Sequence, residues 1–439
     1  MFTTITTIPT LLLGIGILLL GSGFLGSLLG IRAGLEHFPT GLTGLIMAAF
    51  FAGYVLGTYL CPPLIRRFGH IRSFTAMASL AGATVLTHAM VINPAAWMVL
   101  RIITGVCMVG LYMVIESWLS EQTAAERRGR VFSVYMTVNL LALGASQYLI
   151  LVYGASGAAP FALSAVFFSI GLIPIALTRV IEPRLGEPTA AFGLRRLYAV
   201  SPLSMIAGLI SGLGNGAFWG LGAVFAHEVG LSNAGIAAFM SATVIGGALL
   251  QAPIGRQSDR WDRRVVLMIV SFAGAGATAI AFVLIPISHA GLIAAAVVYG
   301  GFGFSVYSLC VAHMNDHLGS GEVLEATRGL LLVTGVGATL GPIIGGLLMQ
   351  AFGPRSLMAF FGAILLLLGF YALRRMWVSP AIPTDEQGEF VPMARTSSVV
   401  LEMDPRTDEE VELDPLDAEA EQATADDAAA SDTARGGGA

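Results

Sequence analysis

Hydrophobic positions in this chain come in long unbroken blocks, not in strand-like alternation. Twelve blocks of about 20 residues or more are almost wholly apolar: roughly 8–31, 42–65, 72–92, 95–119, 131–153 and 160–180, then roughly 203–226, 234–255, 265–287, 290–314, 328–351 and 356–377. A helix that crosses a bilayer needs about 20 apolar residues, so each block predicts a transmembrane helix, numbered below as spans one to twelve. Glycine and alanine are frequent within them, as expected where helices approach closely in lipid. The fold class that follows is all-α and integral to the membrane.

The blocks divide six and six, and the second six echo the first. At an offset of 193, Asp259-Arg260-Trp261-Asp262 falls on Arg66-Arg67-Phe68-Gly69, Met240 on Met47 and Gly246 on Gly53. At an offset of 200, Arg328-Gly329 falls on Arg128-Gly129 and Asp316 on Glu116. Weak internal repeats of this kind recur in secondary transporters, whose substrate sites lie between the repeats. The expected organisation is two pseudo-symmetric six-helix bundles, 1–180 and 203–377, joined by a linker at 181–202 and followed by a tail at 378–439.

Charge sharpens the picture. The mean hydropathy of +0.78 is far above that of a soluble core, and all 23 basic residues are arginine. With the N-terminus inside, 17 of them sit at cytoplasmic helix ends or loops and three at the outer side, so the positive-inside rule predicts two cytoplasmic termini. The N-terminus lacks a basic n-region and a cleavage site, and reads as span one. Residues 385–432 hold 16 of the 28 acids. The distal tail is expected to be disordered; the preceding "EFVPMARTSSVVLEMDP" has enough apolar residues to dock on the bundle. Cys61, Cys107 and Cys310 fall inside spans and predict no disulfide framework.

No zinc spacing, nucleotide loop or nucleophile elbow is present, so the chain does not read as an enzyme, and no metal or cofactor is expected. The arginines mark helix ends, not a nucleic-acid stripe. Polar groups inside the spans are costly there and hence informative. In span four, Arg101, Gly105, Met108, Tyr112 and Glu116 share one face. Ser211, Asn215 and Trp219 do so in span seven, and Ser305, Ser308, Ala312 and Asp316 in span ten. Asn139 and Gln147 in span five either join these stripes or make interhelical hydrogen bonds. Glu116 and Asp316 read as proton carriers or as static partners of Arg128 and Arg328. Arg101 reads as a counter-ion for an anionic substrate or as a partner of Glu36. His88, His227 and His313 read as structural.

"GRQSDRWDRR" (255–264) resembles the charged loop between the second and third helices of a repeat in the major facilitator superfamily, approximately Gly-x-x-x-Asp-Arg-x-Gly-Arg-Arg. Gly255, Asp259, Arg260, Arg263 and Arg264 match, with Asp262 in place of the second glycine. The first copy departs further: Pro62 and Arg66 replace the glycine and aspartate, while Arg67, Gly69 and Arg72 remain. "GHIR" and "ESWL", at 69–72 and 116–119, are similar to poorly characterised bacterial members. The resemblance implies that spans one, four, seven and ten line a central cavity and that Asp259 locks the cytoplasmic side by reaching the other half. "GATLGPIIGG" (337–346) in span eleven resembles an exporter motif usually placed in span five, which lacks it here; close packing is the preferred reading.

The function that follows is a secondary transporter of a small organic solute by alternating access, with proton-coupled export the leading mode. It is expected as a multi-pass monomer in a bacterial inner membrane. Proton-coupled uptake is one alternative, and a non-transporting sensor or scaffold signalling through the acidic tail is another.

Overall fold

The computed structural model describes residues 2–123, 125–177, 193–318, 322–388, 390–393, 396, 397 and 399. Its helices run α1 (Phe2–Leu35), α2 (Thr40–Phe68), α3 (His70–Met90), α4 (Pro94–Glu121), α5 (Ala125–Ser146), α6 (Ile150–Tyr153) and α7 (Ala159–Ala176). They continue as α8 (Leu194–Val200), α9 (Pro202–Glu228), α10 (Asn233–Ser258), α11 (Arg263–Leu284), α12 (His289–Asn315), α13 (Val323–Phe352) and α14 (Ser356–Val378). Each predicted block falls on a helix. The fifth is α5 and α6 joined by a 3₁₀ turn at Gln147–Leu149, and the short α8 lies within the predicted linker. The expected disorder of the distal tail concerns residues outside those described.

Among the described residues, eleven helical stretches are long and apolar enough to cross a membrane. The predicted third block is not among them. Its helix, α3, has 21 residues, but His70, Arg72, Ser73, Thr75, Thr84, Thr87 and His88 make it more polar than the rest. Several of these groups are satisfied locally: Thr84, Thr75 and Thr87 each donate to a backbone carbonyl three or four residues back.

Helix boundaries follow from chemistry at the turns. Asn93, Ser201, Ser232, Asp262 and Ser288 cap α4, α9, α10, α11 and α12, each accepting from a backbone N–H of the first turn, which satisfies a donor the helix cannot. Between α2 and α3 the chain reverses at Gly69, whose φ of 84° disfavours any side chain.

Close glycine contacts set the packing, and they come in matching pairs. In the α2–α4 contact, a Cβ at Gly53 would strike the Ile102 backbone, and one at Gly105 the Phe50 carbonyl. In the α10–α12 contact, a Cβ at Gly246 would strike Val297 and one at Gly300 the Thr243 carbonyl. The pairing of Gly53 with Gly246 keeps the 193-residue offset, whereas Gly105 and Gly300 are 195 apart. The latter register aligns the start of α4 with that of α12 and sets Asp316 against Glu121. The expected equivalence of Glu116 with Asp316 is therefore corrected. Three residues join α4 to α5 but seven join α12 to α13, and the longer connection shifts the register that the Arg128–Arg328 match suggested.

Within the second half α13 packs on α9, and across the middle α13 packs on α2, α1 on α9, and α5 on α10. Gly44 of α2 lies against Pro342 and Gly346 of α13, so the glycine-rich stretch of α13 serves close helix approach.

Candidate functional site

A cavity of about 610 Å³ lies at the centre, between α1, α2, α4 and α5 on one side and α9, α10, α12 and α13 on the other. Arg101, Met108 and Tyr112 line it from α4, Asn139 from α5, and Asn215 and Trp219 from α9. These six predicted positions are brought together. The others are not part of its lining. Gln147 accepts from Ser27 at 2.5 Å and donates to Leu143 and Ser146, pinning α5 to α1. Ser305 donates to the Gly301 carbonyl in its own helix, and Ser211 is buried with no hydrogen-bond partner among the described residues. Ser308 stands just behind the wall and accepts from Gln251 at 2.9 Å.

Arg101 is 5% exposed. Its guanidinium sits 4.4 Å from the centre of the Phe50 ring, and no carboxylate among the described residues lies within ion-pair distance. The alternative pairing with Glu36 is not formed, because Glu36 pairs with Arg32 one turn away at 2.5 Å. A cation in such a site loses several kcal/mol of hydration, and a cation–π contact restores only about 2 kcal/mol. Its Nε has no hydrogen-bond partner among the described residues. Asn139 adds a second unused polar group, its amide donating to the Tyr135 carbonyl at 2.8 Å while its oxygen has no partner among the described residues.

At the other end of the same α4 stripe, Glu116 is fully buried. It accepts a 2.5 Å hydrogen bond from Tyr135 on one oxygen and one from Ser397 on the other. Fifteen residues separate it from Arg101, or about 22 Å of helix, so the stripe runs from a cation to an acid.

Sequence reasoning missed the contribution of α2 and α13. Phe50, Phe51, Tyr54, Val55 and Thr58 form a wall from α2, and Arg328, Leu331, Thr334 and Gly335 form one from α13; Gln251 and Phe304 complete it. The one legible signal was Phe50 and Tyr54 at helical spacing in the second block.

The charged loop is now visible in three dimensions. Arg263 pairs with Asp316 at 2.7 Å and with Asp259 at 3.5 Å. Arg264 grips Asp262 with two nitrogens and donates to the Ser379 carbonyl at 2.8 Å. Asp259 accepts from the backbone N–H of Phe390 at 2.9 Å. All these partners belong to α10–α12 or the tail, so the expected reach of Asp259 to the other half is not made here. Arg260 is exposed, and Arg67 lies 5.3 Å from the Phe68 ring.

The family model described as Major Facilitator Superfamily matches the chain twice, over residues 11–203 and 204–401. The chain belongs to the Major Facilitator Superfamily. It is similar to an uncharacterised MFS-type transporter of Enterobacter sp. (strain 638), 28% identical over 378 residues, which is 85% of this chain and 97% of the relative. It is also similar to the uncharacterised MFS-type transporter YcaD of Escherichia fergusonii, 26% identical over 357 residues, or 81% and 92% of the two chains. Among solved structures, the nucleoside transporter NupG has a like fold, with a TM-score of 0.69 at 15% identity, covering 85% of this chain and 99% of that one. As a superfamily member this chain is a multi-pass membrane transporter, and the central cavity is its candidate binding site.

Proposed function

We propose that this protein moves small amphiphilic organic anions across a bacterial inner membrane by alternating access, as a proton-coupled exporter with both termini in the cytoplasm. The observation that carries the substrate class is Arg101, a nearly buried cation that faces the cavity without a carboxylate partner among the described residues. An anionic group placed against it would supply the missing counter-charge, while Phe50, Tyr54, Tyr112 and Trp219 would cover an apolar body. Twelve spans in two six-helix bundles are supported by the repeated glycine contacts and the twofold match of the family model, with α3 as the twelfth span. Arginine-rich turns at one end of the helices support the orientation. Glu116, buried at the arginine-rich end of the Arg101 stripe, is the group we assign to the proton.

The test uses purified protein in proteoliposomes with salicylate as the anion and salicylamide as its neutral counterpart. Salicylate flux well above that of protein-free liposomes, driven by a pH gradient, is expected. Arg101→Gln should cut it at least tenfold and leave any salicylamide leak unchanged. Equal salicylate flux in Arg101→Gln would overturn the substrate class; flux indifferent to the gradient in both wild type and Glu116→Gln would remove proton coupling.

A further inference from the structure

After α14 the chain does not leave the molecule. Nine residues, 379–387, carry it to Gly388, whose N–H donates to Asp316 at 3.1 Å and whose carbonyl accepts from Arg263. Phe390 then donates to Asp259, and its ring fills the space where a Cβ on Gly255 would stand. The Met393 N–H donates to Ser308 at 3.2 Å. Up to this point the contacts are all with α10, α11 and α12. Beyond it the chain crosses over: the Tyr54 hydroxyl donates to the Thr396 carbonyl and the Ser397 hydroxyl to Glu116, so the partners are now α2 and α4. Phe390, Met393, Ser397 and Val399 are buried, and Met393, Thr396 and Val399 form part of the cavity wall.

We infer that the mouth of the cavity is a binding site for a peptide main chain, and that the chain's own Gly388, Phe390–Met393, Thr396, Ser397 and Val399 are its ligand, acting as a tethered plug. Two features of the contacts carry this. First, three backbone N–H groups meet side-chain acceptors on the bundle, two of them carboxylates. That arrangement recognises a main chain by its N–H groups and leaves sequence preference to the Phe390 recess. Second, the segment is held by helices of both repeats at once. Alternating access requires those repeats to move against each other around the cavity, so a strap from Asp259 and Asp316 to Tyr54 and Glu116 opposes the motion while occupying the space a substrate needs. It also engages Glu116 itself, the acid assigned above to the proton. The consequence for transport rests on the proposed function; the docking does not.

Two labelling rates test the plug without any substrate. Met393→Cys in the full chain, in lipid nanodiscs, should react with a membrane-impermeant maleimide at least tenfold more slowly than in the denatured chain. Reaction at the denatured rate would overturn docking. Ser22→Cys places a thiol of nearly the same size on the cavity wall contributed by α1. Its labelling should rise at least tenfold when the chain ends at Pro383, or when Phe390→Asp loosens the plug in the full-length chain, with modified peptides distinguished from native cysteines by mass. An unchanged Ser22→Cys rate in both backgrounds would overturn occlusion. Absence of salicylate flux from full-length and shortened protein alike would count against the proposed substrate class and leave both labelling results standing.

Discussion

The two copies of the charged turn, at 62–72 and 255–264, descend the same path from helix to helix and end very differently. In the second, Arg263 and Asp316 form an ion pair whose side chains are 1% and 3% exposed, and every acid of the turn has a partner. In the first no acid is present. Arg67 rests on a neighbouring ring, and the chain reverses at Gly69. The contrast teaches that the loop charges are engaged where they have something to hold. In this molecule that is the C-terminal segment and the end of α12, not the opposite repeat.

The largest effect should come from Arg263→Gln. Removing one member of a buried pair leaves the other uncompensated, at ~3–5 kcal/mol, read as a lowered thermal midpoint in detergent. In the first copy His70 stands at the position of Arg263, and Arg67→Gln in that turn should cost no more than ~0.5 kcal/mol; a loss similar to that of Arg263→Gln would break the comparison. Next is Gly69→Ala, which forces a side chain into the left-handed region and should cost ~1–2 kcal/mol, showing that the first turn is held by backbone geometry. The smallest effect concerns Asp262. Burial raises its pKa, but hydrogen bonds from the Arg264 side chain and backbone, together with that charge, outweigh burial and hold the carboxyl below its ordinary range. Its folded value is thus below its unfolded one, so its stabilisation is complete above about pH 4. It is lost as the pH falls through the lower folded value. Because the pair is partly exposed, the loss is under ~1 kcal/mol. Asp262→Asn should flatten that acid dependence of thermal stability, and an unchanged slope would show that Arg264 does not set it.

The helices were legible in the sequence because a bilayer imposes a length and a polarity that few other environments require. The repeat was legible too, through Gly53 and Gly246, although the alignment of Glu116 with Asp316 was misled by a longer connection that hydropathy does not register. Half of the cavity was not legible. An aromatic residue such as Phe50 reads the same whether it meets lipid, another helix or a ligand, and only the placement of Arg101 beside it separates those roles. Gln147 and Ser305 failed for the converse reason: a polar side chain in a span can spend its hydrogen bonds on a neighbouring backbone and leave nothing for a solute. In the tail, the apolar composition around Phe390 and Met393 signalled that it could dock, but a backbone N–H has no sequence signature, so its partners were invisible.

The nine-residue connection between α14 and Gly388 bears on how ligands for this protein are to be found. A short tether holds its bound group at an effective concentration on the order of millimolar. A solute entering from the same side competes with that local concentration, so its apparent dissociation constant in the full chain is raised by the factor through which the tethered segment exceeds its own. Screens on the intact protein will rank compounds by their ability to evict a peptide, whereas screens on the shortened chain will rank them by their fit to Arg101 and its aromatic neighbours. The two rankings are different assays of one cavity.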